Sequence, residues 1–193
     1  SSIHLAARVG GIKANMENLA DFYYQNVMIN TNVLEAARVT NVDKVLSMLS
    51  TCVYPSNCEL PLKEIKMHAG PPHDSNYGYA FSKRMLEVQS RTYRHQYGCN
   101  FISVISNNLF GENDNFHLTD SHVIPALIRK IYEAKNGGPE VLLWGDGSPL
   151  REFTYSKDLA KIIVFLLETY NSEKPINIGN TKEYSIKEIA YSI

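Results

Sequence analysis

The chain has 193 residues, of which 44% are hydrophobic and 20% charged, with a formal net charge of −1. That length and apolar content suffice for one substantial core, and the near-balanced charge argues against the basic stripe that nucleic-acid binding needs. The longest purely apolar run, Ile162 to Leu167, is far too short to span a bilayer, and the opening residues read as strand rather than as a basic-then-apolar signal segment.

Taken in order, Ile3 to Ala7 reads as a strand end, followed by Arg8-Val9-Gly10-Gly11. Glu17 to Thr40 has helical spacing, with Leu19, Phe22, Tyr23, Val27, Val33, Leu34 and Ala37 predicted to face a sheet. Asp43 to Leu49 reads as a buried strand ending in Ser50-Thr51-Cys52-Val53-Tyr54-Pro55. A loop rich in Pro, Asn and His (55–75) then leads to a helix over 77–97, closed by Gly98 as a C-terminal cap. Asn100 to Ser106 is the next strand, 107–120 a polar loop, and 121 to about 136 a helix broken by Gly137-Gly138-Pro139. Glu140 to Trp144 is predicted to return as a strand, and Arg151 to Thr154 to be short and extended. Ser156 leads a helix carrying Ile162, Ile163, Phe165 and Leu166; Pro175 to Ile178 is a strand, and Ser185 caps a final helix. Strands alternating with helices predict an α/β fold with a parallel sheet. Cys52, Cys58 and Cys99 are an odd, sparse set without metal-ligand spacing, so no metal site is expected and a reducing cytosol fits best.

Tyr79 and Lys83 carry the sharpest chemical signal. Residues four apart share a helix face, so phenol and ammonium can reach one site. A cation beside a phenol lowers its pKa from about 10, and reaching neutrality takes about three units, or about 4 kcal/mol. A phenol so tuned can pass a proton to a carbonyl oxygen. Alone the pair also reads as two surface residues of an amphipathic helix. The upstream Ser50-Thr51-Cys52, at the carboxyl end of a strand where ligands of open α/β sheets bind, favours the chemical reading.

The order strand, helix, strand with Ser, helix with Tyr and Lys, strand resembles an extended short-chain dehydrogenase/reductase. Cys52-Val53 stands where the dehydratases of that superfamily carry Asp-Glu. With Val9-Gly10-Gly11, Asp114-Asn115-Phe116, Ser121-His122-Val123-Ile124-Pro125 and Trp144-Gly145 through Arg151-Glu152-Phe153, it makes the chain similar to the GDP-L-fucose synthase family over essentially its whole length. The resemblance implies a Rossmann-like doubly wound sheet (1–108) and a partial, smaller substrate-binding domain (109–193) with segments returning to the sheet. It implies NADP(H) as cofactor, GDP-4-keto-6-deoxy-mannose as substrate, epimerisation at carbons 3 and 5, reduction at carbon 4, and a homodimer in the cytoplasm. By the same resemblance Ser50 and Tyr79 bond the carbonyl oxygen, Lys83 holds the nicotinamide ribose and tunes Tyr79, and Cys52 with His122 is the epimerisation pair. Met48, Leu49, Ser50, Thr51, Lys83, Ser106, Asn107, Asn108, Leu109 and His122 would line the cofactor, and Lys130, Trp144 and Arg151 the GDP-sugar. A thiol near 8.5 and an imidazole near 6.5 would suit acid and base without large tuning.

On residue type alone Cys52 reads as a packed core thiol and His122 as a helix-start residue. Trp144 is a core anchor or a ligand contact, and Lys130 and Arg151 are solvated charges or diphosphate ligands. Ser106-Asn107 replaces the family's Pro-Thr, and Glu112 the Pro after Phe110-Gly111. Neither Gly10-Gly11 nor Gly145-Asp146-Gly147 supplies the third glycine of a phosphate-cradling loop. The chain therefore reads as an internal piece of a longer enzyme, expected to bind NADPH weakly by itself. Two alternatives stay open: another nucleotide-sugar epimerase/reductase, and an inactive truncated form acting as an interaction module.

Overall fold

Two strands apolar on both faces dictate the architecture: β2 (Val45–Ser50) and β3 (Phe101–Ser106) are buried almost throughout, so helices must cover both sides of their sheet. In the computed structural model, which describes all residues except Thr119, Asp120 and Trp144, four strands form a parallel sheet in the order β1-β2-β3-β6, with β1 at Ser2–His4 and β6 at Ile176–Ile178. On one face α2 (Leu19–Val39) and α3 (Tyr77–Tyr97) bury Leu34, Ala37 and Leu86 against Val45, Leu49, Phe101 and Ile105. On the other, α5 (Ser156–Thr169) buries Leu159, Ile163 and Leu166 against Leu46, Met48, Ile102 and Val104. The odd and even positions of each strand divide between the two clusters, as a period of two requires.

A smaller sheet, β4 (Asn108–Phe110), β5 (Leu150–Tyr155) and β7 (Glu183–Ser185), pairs β4 parallel and β7 antiparallel to β5. Phe153 of β5 packs with Leu127 of α4 (Val123–Lys135) and Ile189 of α6 (Ile186–Ser192) in a third cluster. A short helix, α1 (Ile12–Glu17), precedes α2.

α3 spans the predicted residues, and Gly98 after it takes φ 71°, the left-handed conformation glycine adopts without strain. Ser185 forms a full capping box with Glu188 at the start of α6. Two expectations need correction. Residues 140–143 form no strand, because nothing pairs with them, and Trp144 lies outside the described residues. On α2 Leu19 and Tyr23 are exposed while Asn26 and Asn30 are buried, since those two amides find partners inside. Asn26 bonds both the N–H and the C=O of Arg8, and Asn30 bridges His4 Nε2 (2.9 Å) and the Ser82 carbonyl (3.2 Å). On α5 Phe165 is exposed and Leu159, Ile163 and Leu166 are buried.

Candidate active site at the carboxyl ends of the parallel strands

β2 ends at Ser50, whose side chain accepts the Cys52 backbone N–H at 3.5 Å and so caps a tight turn over Thr51–Val53. That turn lifts Cys52 out of the sheet, and α3 delivers Tyr79 and Lys83 alongside it. Lys83 Nζ is buried and donates to the Met48 carbonyl at 2.9 Å, while lying 5.8 Å from the centre of the Tyr79 ring. The Tyr79 hydroxyl has no hydrogen-bond partner among the described residues. Gly78 lets the start of α3 sit against α2: a Cβ there would lie 2.2 Å from the Leu19 carbonyl oxygen.

The electrostatics differ from the sequence expectation. Burial pushes the Tyr79 phenol up, and Cys52 nearby adds to the rise, so Lys83 does not make it acidic here. Burial also pushes the Cys52 thiol up to about 11, against smaller opposing effects of Ser50, Lys83 and Arg84; it does not keep an ordinary value. Lys83 itself is pushed down to about 8 by burial. Desolvation decides all three, because each group leaves water before it gains a full partner.

Beside this group an open cleft of about 660 Å³ runs between the two sheets, lined by Thr51, Asn107, Asn108, Arg151, Asn177 and Asn180 among others. Asn107 accepts from Thr154 Oγ1 (2.7 Å) and donates to Glu152 (3.3 Å), and a Cβ on Gly179 would sit 2.5 Å from its Nδ2. Asn108 is exposed and reaches the Glu152 carbonyl. Ser106 pairs in register with Ser50, and its hydroxyl lies 3.4 Å from the Leu49 carbonyl. The side chains of Met48 and Leu49 belong to the two core clusters, and that of Leu109 packs toward α5, so Met48 and Leu49 offer the site their backbone only.

Ser50, Cys52, Tyr79 and Lys83 thus come together, and Thr51, Asn107, Asn108 and Arg151 surround the adjoining cleft. His122 and Lys130 are not among the residues lining that cleft: His122 is the exposed cap residue of α4, with no side-chain capping bond, and Lys130 Nζ is 3.5 Å from the Leu142 carbonyl. No hydrogen bond joins His122 to Cys52. Sequence reasoning missed Asn177, which accepts from the Tyr54 hydroxyl (2.6 Å) and donates to the Leu62 carbonyl, tying the 55–75 loop to β6. It also missed buried Arg84, whose only signal was its place beside Lys83.

The donor set fits a pyridine nucleotide. An ammonium has three N–H groups, of which Met48 takes one, and the Tyr79 hydroxyl is free to bond a ligand. A parallel sheet with Ser, Tyr and Lys gathered at its carboxyl end has the layout of an open α/β nucleotide-binding fold. The comparisons narrow this: residues 2–179 match the NAD dependent epimerase/dehydratase family, and the chain belongs to it. It is 47% identical over 190 residues to GDP-L-fucose synthase of Dictyostelium discoideum, covering 97% of this chain and 59% of that protein. Against the enzyme of the same name from Sinorhizobium fredii it is 44% identical, covering 99% of this chain and 61% of that protein. The crystal structure of a GDP-L-fucose synthetase from Naegleria fowleri bound to NADP superposes with a TM-score of 0.92 at 42% identity, covering 98% of this chain and 59% of that one. A GDP-D-glycero-L-gluco-heptose synthase from Campylobacter jejuni superposes at 0.87 and 31% identity, covering 98% and 67%. The chain spans about 60% of the length of the curated relatives it matches.

Proposed function

We propose that the full-length protein epimerises GDP-4-keto-6-deoxy-mannose at carbons 3 and 5 and reduces its 4-ketone with NADPH, giving GDP-L-fucose. The observation that carries this is the grouping of Ser50, Cys52, Tyr79 and Lys83 at the end of β2, in a chain whose relatives bear that name. Lys83, the Ser50–Thr51 turn, residues Ser106 to Leu109 and His122 would hold the NADP(H), which would supply the hydride when bound.

Carbons 3 and 5 flank one ketone, so removing either proton places charge on the same oxygen. Ser50 and Tyr79 donate hydrogen bonds to that oxygen, stabilising each enolate and the later alkoxide. Tyr79, neutral because burial raises its pKa, carries the proton that completes the reduction. His122 takes a proton from one face and Cys52, a thiol at neutral pH, returns one to the other. Lys130 and Arg151 hold the diphosphate of the GDP-sugar. No helix of the described residues is long and apolar enough to cross a membrane, and the three cysteines are free; we place the protein in the cytoplasm. Tyr24, Met28, Tyr77 and Met85 are exposed on α2 and α3 and supply an apolar face for a homodimer.

The test is solvent deuterium incorporation at carbons 3 and 5 of GDP-4-keto-6-deoxy-mannose by the full-length protein, followed by product analysis with NADPH. Wash-in at both carbons and a GDP-L-fucose product are expected. Reduction without wash-in would instead favour a plain 4-ketoreductase of another nucleotide sugar, a reading that the Campylobacter jejuni likeness keeps in view.

A further inference from the structure

Arg84 is 5% exposed, yet among the described residues it has no carboxylate partner. Its Nε donates to the Val53 carbonyl at 2.6 Å, one residue beyond Cys52, and its guanidinium carbon lies 5.2 Å from the centre of the Phe81 ring. One terminal nitrogen, Nη2, is wholly buried without any hydrogen-bond partner. A buried cation left unpaired is costly, so the fold retains it against its own stability. Next to it on α3 is a second buried cation, Lys83, and both are close enough to act electrostatically on the Cys52 thiol. Among the described residues, the titratable groups facing that thiol are Tyr79, Lys83 and Arg84, all from α3, and no carboxylate is among them.

We propose that Arg84 is a positioning and charge-compensating residue for Cys52: its Nε–H fixes the turn that carries the thiol, and its guanidinium neutralises the thiolate left when Cys52 gives its proton to carbon. This rests on the epimerase reading of Cys52. The proton leaves Sγ for the enolate carbon, the S–H electron pair stays on sulfur, and the negative charge passes from substrate oxygen to a sulfur flanked by Arg84 and Lys83. Epimerisation then needs no thiolate at rest, only one that is tolerated when formed. Lys83 alone would serve less well, because burial drives it toward the neutral amine while a guanidinium stays charged.

The experiment is the pH profile of Cys52 alkylation by iodoacetamide in the full-length protein, resolved from Cys58 and Cys99 by peptide mapping, in wild type, Arg84→Gln and Arg84→Lys. Gln keeps an N–H for the Val53 carbonyl and removes the charge; Lys keeps a charge near neutral pH and loses it as pH rises. The midpoint should rise by about one pH unit in Arg84→Gln, as loss of a neighbouring opposite charge does, and should rise in Arg84→Lys as well, because a buried amine is neutral at the pH where Cys52 ionises. Deuterium wash-in should fall in Arg84→Gln and recover in Arg84→Lys. Unchanged midpoints in both variants, or a pair of variants neither of which folds, would assign Arg84 to the fold alone. The alkylation profile reads the coupling whether or not protons exchange at carbons 3 and 5, so this inference and the epimerase reading fail separately.

Discussion

Replacing Lys83 with methionine should change how stability depends on pH more than it changes stability at any one pH. Lys83 is 3% exposed, and burial lowers its pKa from the ordinary 10.5 to about 8 in the folded protein. Below about pH 8 both states carry the charge, and the native state bears the full cost of burying it. Between about 8 and 10.5 the native state has lost a proton that the unfolded chain still holds, so stability rises with pH. A difference of about 2.5 units corresponds to about 3 kcal/mol across that window. Cys52 works in the opposite direction, because its native pKa is raised from 9.0 to about 11 and the unfolded chain ionises first. Lys83 holds the thiol down, so removing it can only enlarge that fall in the variant, which widens the gap between the two proteins in the same direction.

The assay is urea unfolding of full-length wild type and Lys83→Met at several pH values from about 7.5 to 10.5. Loss of the 2.9 Å bond to the Met48 carbonyl costs Lys83→Met about 1 kcal/mol or more at every pH, so the slope and not the offset carries the test. The stability of wild type relative to the variant should increase by about 3 kcal/mol over the range. A gap constant to within about 0.5 kcal/mol would refute the argument that burial holds Lys83 near neutrality.

Other substitutions test the site and its supports. Gly78→Ala should destabilise by about 1–3 kcal/mol in urea despite alanine's better helix propensity, because the new methyl meets the Leu19 carbonyl; an unchanged midpoint would mean α2 and α3 separate freely. Tyr79→Phe should cut the reductive step about 100-fold or more and leave some deuterium wash-in; equal loss of both, or of neither, counts against Tyr79 as proton donor. Cys52→Ser should slow wash-in at carbons 3 and 5 by about 100-fold and release some unepimerised reduced sugar, whereas normal wash-in returns Cys52 to a packing role. Reductive kcat/KM should fall as pH rises through about 8 while Lys83 loses its proton, and Lys83→Arg should remove that limb if it retains turnover.

What could be read from the chain was mostly what local chemistry decides. The limits of α3, its glycine cap, the Ser185 capping box and the two buried strands each follow from spacing or a cap within a few residues. The edge strands β4 and β7 are three residues each and exist only through pairing with β5, so no pattern within them announces a strand. The buried side of α2 was misread because Asn26 and Asn30 interrupt its apolar stripe, and their partners, Arg8, His4 and Ser82, are distant in sequence. At the site, helix spacing correctly brought Tyr79 and Lys83 to one side. It could not show that Lys83 spends its donor on Met48, or that desolvation outweighs attraction and raises the phenol.

The cost of this arrangement falls on one stretch of α3. Gly78 forgoes a side chain, Tyr79 leaves its hydroxyl without a partner among the described residues, and Lys83 and Arg84 bury two adjacent cations. Glu87, one turn later on the same helix and equally buried, is treated differently: His68 Nε2 (2.9 Å) and Arg91 Nε (3.0 Å) both reach it. The helix therefore can satisfy a buried charge, and at 83–84 it supplies no anion from the protein. Two cations held without a carboxylate stabilise whatever negative charge forms beside them, and among the described groups only the Cys52 thiol and the Tyr79 phenol can develop one there. The unpaired charge that weakens the fold is thus the same charge that a thiol or a ketone oxygen needs when a proton leaves.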